Sequence, residues 1–301
     1  MHDIIVIGSG TAGMTAALYA LRAGRTVLLL EGNGIGGQIA SSPKVENFPS
    51  IKEISGSEFS DNLFSQVMDL GADFGFENAT NIIDNGATKT VKTDEGEHEC
   101  LAVIIATGLK HRPLPVERAE EMVGRGISYC AVCDGAFFKD KDVAVVGGGN
   151  TALQDAAYLS KYCRTVYLIH RRDTFRGENS NVKALEGKEN VKFILDTVVT
   201  ELVGDDMIEG IKIKNVKTEL SGEIAVSGIF SAVGQNPQCE IFRELIELDE
   251  SGYVIAGEDC KTSREGIFVA GDCRTKKVRQ LTTAASDGAT AGTAASEYIG
   301  I

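Results

Sequence analysis

A short apolar run that breaks into closely spaced glycines and then resumes as a helix leaves a chain few options, and this sequence does it twice. "DIIVI" (3–7) leads into Gly8-Ser9-Gly10-Thr11-Ala12-Gly13. A helical stretch then runs to about Ala23, and a second apolar run, "TVLLL", ends at Glu31. Strand, G-x-G-x-x-G, helix, strand and acid in this register form a dinucleotide-binding fingerprint. Gly8 allows the tight turn, Gly10 lets the backbone approach a pyrophosphate, and Gly13 lets helix pack on strand. The helix N-terminus brings partial positive charge to the phosphates. Glu31, followed by Gly32, is placed to accept hydrogen bonds from a ribose diol.

The second copy starts at "DVAVV" (142–146) and continues as Gly147-Gly148-Gly149-Asn150-Thr151-Ala152, a helix to about Lys161 and the strand "TVYLI" (165–169). Where the first copy has Glu31, the second has His170, Arg171 and Arg172, with Arg176 close behind. Cations in place of an acid suit a ribose carrying a 2′-phosphate, so this site is expected to take NADPH rather than NADH. Each copy then passes through β-rich segments and closes on an apolar run ending in glycine, "VIIATG" (103–108) and "IFSAVG" (229–234). "LKHRPLPVE" (109–117) holds two of the five prolines and reads as a stiff linker. The expected fold is therefore α/β, with two Rossmann-like dinucleotide-binding domains in one chain.

Composition removes other classes. A formal charge of −13 argues against nucleic acid as partner. No apolar run approaches the ~20 residues of a membrane helix, and "MHDIIVIGSG" is already strand and turn rather than a signal peptide. Seven scattered cysteines in a large chain are unlike a secreted disulfide framework and point to a reducing cytoplasm.

In such a compartment the pair in "SYCAVCDG", Cys130 and Cys133, needs an account. Zinc wants four ligands, and the sequence has no second C-x-x-C and no paired histidines. A buried inert pair fits poorly with Asp134 and Gly135 beside it. A dithiol/disulfide at the start of a helix fits better, since the helix end favours thiolate, and Asp134 can pass the proton that thiol–disulfide exchange moves. Nicotinamide delivers two electrons as hydride, whereas a disulfide takes them through thiolate chemistry. A flavin connects the two. FAD in one nucleotide site, NADPH in the other and one disulfide complete a relay. Both the pair and the nicotinamide must then reach one flavin in turn, which puts hinges at the crossings 109–116 and 235–238.

With these motifs assembled, the chain resembles the low-molecular-weight thioredoxin reductases over its whole length. "CAVCDG" is similar to the family's redox motif, "GGGNTA" to its NADPH turn, and "HRRDTFR" to its 2′-phosphate clamp. "GGQIA", "VENFP", "ATG" and "AGDCRTKKVRQL" are similar to its FAD contacts. The resemblance implies that Gly37, Gln38, Ile39 and Asn47 help hold FAD, with Ala106, Thr107 and Gly108. It implies that Gly271 and Asp272 reach the ribityl chain, and that Arg279, Gln280 and Leu281 sit near the isoalloxazine. The NADPH domain would be inserted into the FAD domain: 1–112 and 239–301 for FAD, 113–238 for NADPH and the redox pair. Family members are homodimers whose substrate is thioredoxin. Sequence keeps other partners open: a peroxiredoxin-type or small-molecule disulfide, or ferredoxin as electron donor, which the intact "GGGNTA" and "HRR" oppose. A non-catalytic redox sensor is a further alternative, opposed by the C-x-x-C. Gly177 and "ENSNVKAL" after the clamp diverge from the family pattern, and Cys273 has no role beyond packing.

Overall fold

A computed structural model describes residues 1–42 and 45–300. The chain divides into two compact units, Met1–Lys110 with Asn236–Ile301, and His111–Gln235.

Unit 1 is built on the strand His2–Ile7, whose Ile4, Ile5 and Val6 have no solvent exposure at all. Such a run, apolar on both faces, belongs to a parallel sheet covered on both sides. It pairs in parallel with Val27–Leu30 on one side and with Glu97–Ile105 on the other. Asp73–Gly75 adds beyond Val27–Leu30. Ile267–Val269, far along the chain, pairs in parallel with Val103, Ile104 and Ile105. The other half of Glu97–Ile105 carries the antiparallel strands Lys89–Thr93 and Ala79–Asp84.

Two helices pack together on one face of this sheet. Thr11–Arg22 buries nearly every residue of its first two turns, and the final helix, Leu281–Tyr298, lies against it. The Ala/Gly/Thr composition of the final helix has a steric cause. A Cβ at Gly288 would stand 2.3 Å from the Ala12 carbonyl oxygen, and one at Gly292 2.5 Å from that of Ala16. Composition alone left these residues indistinguishable from an ordinary C-terminal helix.

Unit 2 repeats the plan with five parallel strands. Asp142–Gly147 lies between Thr165–Ile169 and Gly228–Ala232, with Val191–Ile194 and Ile127–Ser128 at the edges. A three-stranded antiparallel sheet, Thr197–Val203, Gly210–Asn215 and Ser221–Ala225, follows the second fingerprint. The first fingerprint strand of each unit is thus flanked by the next strand on one side and by a much later one on the other. That reversal of strand order opens a crevice at the carboxyl ends of the strands, where open α/β sheets bind ligands. The two crossings between units, Leu109–His111 and Gln235–Pro237, pair with each other as a two-stranded ribbon.

Candidate active site

The first crevice is shaped by steric closeness at some glycines and open space at another. A Cβ at Gly8 would lie 2.5 Å from the Ala106 carbonyl oxygen, and one at Gly13 1.8 Å from that of Gly8. These two glycines serve packing. At Gly10 a Cβ would meet nothing within 4 Å, and Gly10 is the N-cap of Thr11–Arg22. Gly37, at φ +63°, faces it: a Cβ there would lie 3.3 Å from Gly10 Cα. Thr11 contributes a buried hydroxyl with no hydrogen-bond partner. Orphan helix-end donors, an unsatisfied hydroxyl and two glycines around open space fit a pyrophosphate.

Glu31 is held by a residue that the fingerprint does not mark. The backbone N–H and the hydroxyl of Ser9 both donate to its Oε2 at 2.8 Å, and Asn33 N–H donates to Oε1 at 2.8 Å. The buried carboxylate is therefore fixed in position, with acceptor capacity left for a diol. Gly32 packs on Asn78, whose Oδ1 a Cβ would approach to 1.8 Å.

The remaining residues assigned to FAD lie in the same unit. Gln38 and Ile39 belong to the short helix Gly37–Ser41, and Gln38 Nε2 donates to the Leu109 carbonyl at 2.5 Å. Asn47 Nδ2 donates to Gln280 Oε1 at 3.0 Å. Gln280 is the N-cap of the final helix, Leu281 its first residue, and Gln280 and Thr283 form a reciprocal capping box. Ala106 is buried, Gly108 takes φ +63°, and Gly271, at φ +85°, comes so near Ala12 that a Cβ would sit 2.7 Å from its Cβ. Arg279 donates to the Asp272 carbonyl at 3.2 Å and stacks over Tyr253 at 4.4 Å. Asp272 presents a buried Oδ1 with no hydrogen-bond partner, and burial pushes its carboxyl above the usual range. A carboxyl so placed costs free energy until a donor reaches it, which fits the hydroxyls of a polyol.

A buried ion cluster, invisible in the sequence, fixes this loop. Asp287 on the final helix accepts from Arg274 Nε and a terminal guanidinium nitrogen, each at 2.8 Å. It also accepts from Lys276 Nζ at 2.8 Å and from the Gly271 N–H at 3.0 Å.

The second crevice follows the same logic. A Cβ at Gly147 would stand 2.4 Å from the Ala232 carbonyl oxygen, and near Ala152 Cβ as well, whereas at Gly149 it would meet nothing within 4 Å. Gly149 is the N-cap of the helix Asn150–Leu159, with Thr151 exposed in its first turn. The loop after the second strand folds over this turn. Arg176 N–H donates to the Gly148 carbonyl at 2.7 Å, and Asn150 Oδ1 accepts from Glu178 N–H at 2.8 Å. Gly177, which looked divergent, sits where a Cβ would be 2.4 Å from Leu153 Cδ1. Arg171, Arg172 and Arg176 are exposed at this rim.

His170 behaves differently from the three arginines. It is buried, stacks on Phe175 and lies so close under Gly148 that a Cβ there would come 2.1 Å from its ring. Burial moves its pKa below the ordinary histidine value, so it supports the turn as a neutral ring rather than adding a cation. Its Nε2 has no hydrogen-bond partner.

Cys130 and Cys133 form a disulfide with Cα atoms 5.3 Å apart. Cys130 is the N-cap of the short helix Ala131–Asp134, and the Cys133 N–H donates to its Sγ at 3.2 Å. Gly135 seats this turn on the NADPH-fingerprint helix: a Cβ there would lie 3.0 Å from Leu159. Asp134 Oδ2 accepts from the Ser128 hydroxyl at 2.6 Å, while its Oδ1 is buried without a partner. Burial pushes this carboxyl upward despite the Ser128 bond. Ser128 also accepts from Cys130 N–H at 3.1 Å, so one hydroxyl ties the acid to the redox turn. Tyr129, just before Cys130, stacks on His111 with centroids 4.2 Å apart. Burial lowers His111 to about 4, keeping it neutral. Ser9, Ser128, His111 and Tyr129 escaped the sequence reading. Ser128 and Tyr129 directly precede Cys130 in sequence and Ser9 lies inside the first glycine turn, but that position alone does not say what each touches.

Two glycine-opened helix N-termini and a disulfide turn packed beside the second define a class, flavoprotein-type oxidoreductases that join a nicotinamide to a disulfide. Residues 2–288 match the pyridine nucleotide-disulphide oxidoreductase family, and the chain belongs to it. Within it, the chain is similar to the thioredoxin reductases of Listeria innocua (39% identity, covering 99% of this chain and 94% of that protein) and Mycolicibacterium smegmatis (38%, 99% and 97%). The solved thioredoxin reductase of Streptococcus pyogenes is 40% identical, with a TM-score of 0.94 over 99% of this chain and 98% of that one.

Proposed function

We propose that this chain is an NADPH-dependent, FAD-carrying reductase of the thioredoxin disulfide, working through Cys130 and Cys133. One observation carries the reading: the disulfide turn is seated through Gly135 on the helix whose N-terminus opens at Gly149. Family membership makes the chain a flavoprotein oxidoreductase with FAD and NADPH as cofactors.

Unit 1 would hold FAD through Gly8, Gly10, Thr11, Gly13, Glu31, Gly37, Gln38, Asn47, Asp272, Arg279 and Gln280. Unit 2 would hold NADPH through Gly147, Gly149, Asn150, Thr151 and Ala152, with Arg171, Arg172 and Arg176 on the 2′-phosphate. FAD, when bound, converts a two-electron hydride into electrons that a disulfide can accept.

The chain's own residues do the rest. Once Cys130–Cys133 is reduced, one thiol attacks the substrate disulfide and forms a mixed disulfide. The second attacks that bond, regenerating Cys130–Cys133 and releasing a dithiol. Each exchange expels a thiolate that must be protonated. Asp134, whose carboxyl is pushed up by burial and oriented by Ser128, keeps its proton to a higher pH than an exposed aspartate and supplies it there. Val132, 44% exposed between the cysteines, leaves the turn approachable. The arginines choose the coenzyme, because a guanidinium pairs with a phosphate dianion and gains nothing from a free 2′-hydroxyl.

The proposal extends to a homodimer in a reducing cytoplasm. The dimer rests on the family resemblance. The compartment is supported by five free cysteines, all buried, and by the absence, among the described residues, of a helix long and apolar enough to cross a membrane. The test is NADPH oxidation by the purified holoenzyme against oxidised thioredoxin, a peroxiredoxin and small disulfides. Turnover with thioredoxin that vanishes in Cys130→Ser is the expected result. Consumption of NADPH only with a different disulfide would move the substrate elsewhere.

A further inference from the structure

Asn150 opens the helix Asn150–Leu159 and stands in the turn assigned to NADPH, yet its side-chain oxygen is committed elsewhere. Oδ1 accepts from the Glu178 backbone N–H at 2.8 Å and from Asn181 Nδ2 at 3.4 Å. A backbone N–H can only donate, so its partner settles which way the amide points. Glu178 lies two residues after Arg176 and is itself the N-cap of the helix Asn179–Glu186. One amide therefore joins the starts of two helices and pins the end of the arginine loop.

The residue between Arg176 and Glu178 makes the close fit possible. The Gly148 carbonyl accepts from Arg176 N–H at 2.7 Å and from Gly177 N–H at 3.3 Å. A Cβ at Gly177 would stand 2.4 Å from Leu153 Cδ1, 3.0 Å from Asn150 Oδ1 and 3.1 Å from the Asn150 backbone nitrogen. Leu153 is fully buried in the core of the unit, so it cannot swing clear. Glycine is what lets the loop descend onto Asn150, at a position where the chain departs from the family pattern. The earlier part of the loop has other supports. Asp196 N–H donates to the Arg172 carbonyl at 3.2 Å, and Phe175 stacks on His170 and meets Phe193 edge to face. Arg176 is thus the arginine that depends most on the tie to Asn150.

We propose that the Asn150 side chain is a positioning group for 2′-phosphate recognition: it holds Arg176 over the phosphate turn and does not itself touch the coenzyme. This role rests on the assignment of the crevice to NADPH and states how its selectivity is built. The backbone N–H groups of the helix end remain the pyrophosphate site, while the amide sets where the guanidinium stands. Anchoring the backbone beforehand removes part of the freedom that Arg176 must otherwise lose on gripping a phosphate.

The test uses the full-length, FAD-loaded enzyme and two probes, with dissociation constants read by NMR titration. Adenosine 2′,5′-bisphosphate carries the 2′-phosphate, and adenosine 5′-monophosphate lacks it. In Asn150→Ala the bisphosphate constant should rise roughly 3- to 30-fold, less than the loss of a whole charge-assisted bond because Gly148 still holds the loop. The monophosphate constant should keep its wild-type value. Glu178→Pro deletes the donor, leaves Asn150 in place and suits the Glu178 backbone at φ −63°; it should reproduce both results. In an Arg176→Gln background, Asn150→Ala should weaken the bisphosphate no further. Equal weakening of both probes would make the Asn150 side chain a direct contact, and an unchanged bisphosphate constant would leave it without effect. Full additivity with Arg176→Gln would separate it from that arginine. Each of these three results overturns the proposal. A wild-type enzyme that binds both probes alike would bring down the NADPH assignment itself, and the proposal with it. Asn150 and Glu178 are both exposed, and two independent variants keep the outcome from resting on the folding of one.

Discussion

Replacing Gly149 by alanine separates what a fingerprint glycine does for the fold from what it does for the ligand. The backbone there, φ −95° and ψ −177°, is open to any residue, and the added methyl meets nothing within 4 Å. The cost to folding is therefore that of a poorer N-cap, about 0.5–1 kcal/mol. The methyl does enter the space that a pyrophosphate would take at the helix N-terminus. Losing one charge-assisted bond from a backbone N–H is worth about 1.5–3 kcal/mol, so KM for NADPH should rise roughly 10- to 100-fold. Gly147→Ala is the contrasting change. Its methyl would stand 2.4 Å from the Ala232 carbonyl oxygen and 2.9 Å from Ala152 Cβ, and this overpacking should cost about 1–3 kcal/mol or more. Thermal melts of the two variants, with NADPH-dependent rates at low and saturating coenzyme, distinguish the effects. A Gly149→Ala enzyme with the wild-type KM for NADPH would refute the placement of the phosphates. One that fails to fold would refute the packing argument.

Three further changes probe other parts of the molecule. Cys133→Ser should leave reduction of the bound flavin by NADPH intact, followed by its absorbance, while abolishing turnover with a disulfide; near wild-type turnover would exclude this pair as the active site. Arg171→Gln with Arg172→Gln should lower kcat/KM for NADPH by one to several orders of magnitude and barely change it for NADH; a wild-type enzyme equally fast with both coenzymes would end that assignment. Asp155 in the helix Asn150–Leu159 is raised by burial to about 7. The folded state therefore keeps its proton where the unfolded chain has lost it, so the associated stability is complete below about pH 4 and lost as pH rises through 7. Asp155→Asn, neutral throughout, should melt higher than wild type at pH 8.5 and nearly the same near pH 4. By linkage the gain is at most about 4 kcal/mol, reduced by residual solvent screening. Equal melting temperatures at pH 8.5 would contradict the shift.

Much of the architecture was legible because its signals are local. Gly8-x-Gly10-x-x-Gly13 and Gly147-Gly148-Gly149 sit between apolar runs of strand length, and nothing distant is needed to read them. The first motif also separates a glycine for the ligand, Gly10, from one for packing, Gly13, and the structure leaves open space at the first and crowds the second. It could not name what crowds Gly8 and Gly147, the carbonyls of Ala106 and Ala232, which come from far along the chain. His170 shows the opposite failure. Its place in the fingerprint and its two arginine neighbours mark it as a cation, yet Gly148 and Phe175 cover it and burial keeps it neutral. Asp287 lies thirteen residues from Arg274, a spacing with no helical or strand period, so no pattern connects them before the fold does. Ser9 and Ser128 are serines like any other until Glu31 and Asp134 are placed beside them.

The pairing of Ile267–Val269 with Val103, Ile104 and Ile105 has a consequence for how the protein must be made. On the ribosome, the first unit's parallel sheet is synthesised early, but its last strand arrives only after all of residues 111–235 have emerged. Until then the apolar end of Glu97–Ile105, residues 103–105, has an open edge, the kind that recruits other chains. The inserted unit has no such delay, since every strand it needs lies within its own stretch of chain. It can fold while its host is still unfinished, and its paired ends at Leu109–His111 and Gln235–Pro237 would then bring the two halves of the host together. The exposed interval is set by translation of the insert, so slow elongation through residues 111–235 should increase aggregation of nascent chains, whereas slow elongation after residue 269 should not.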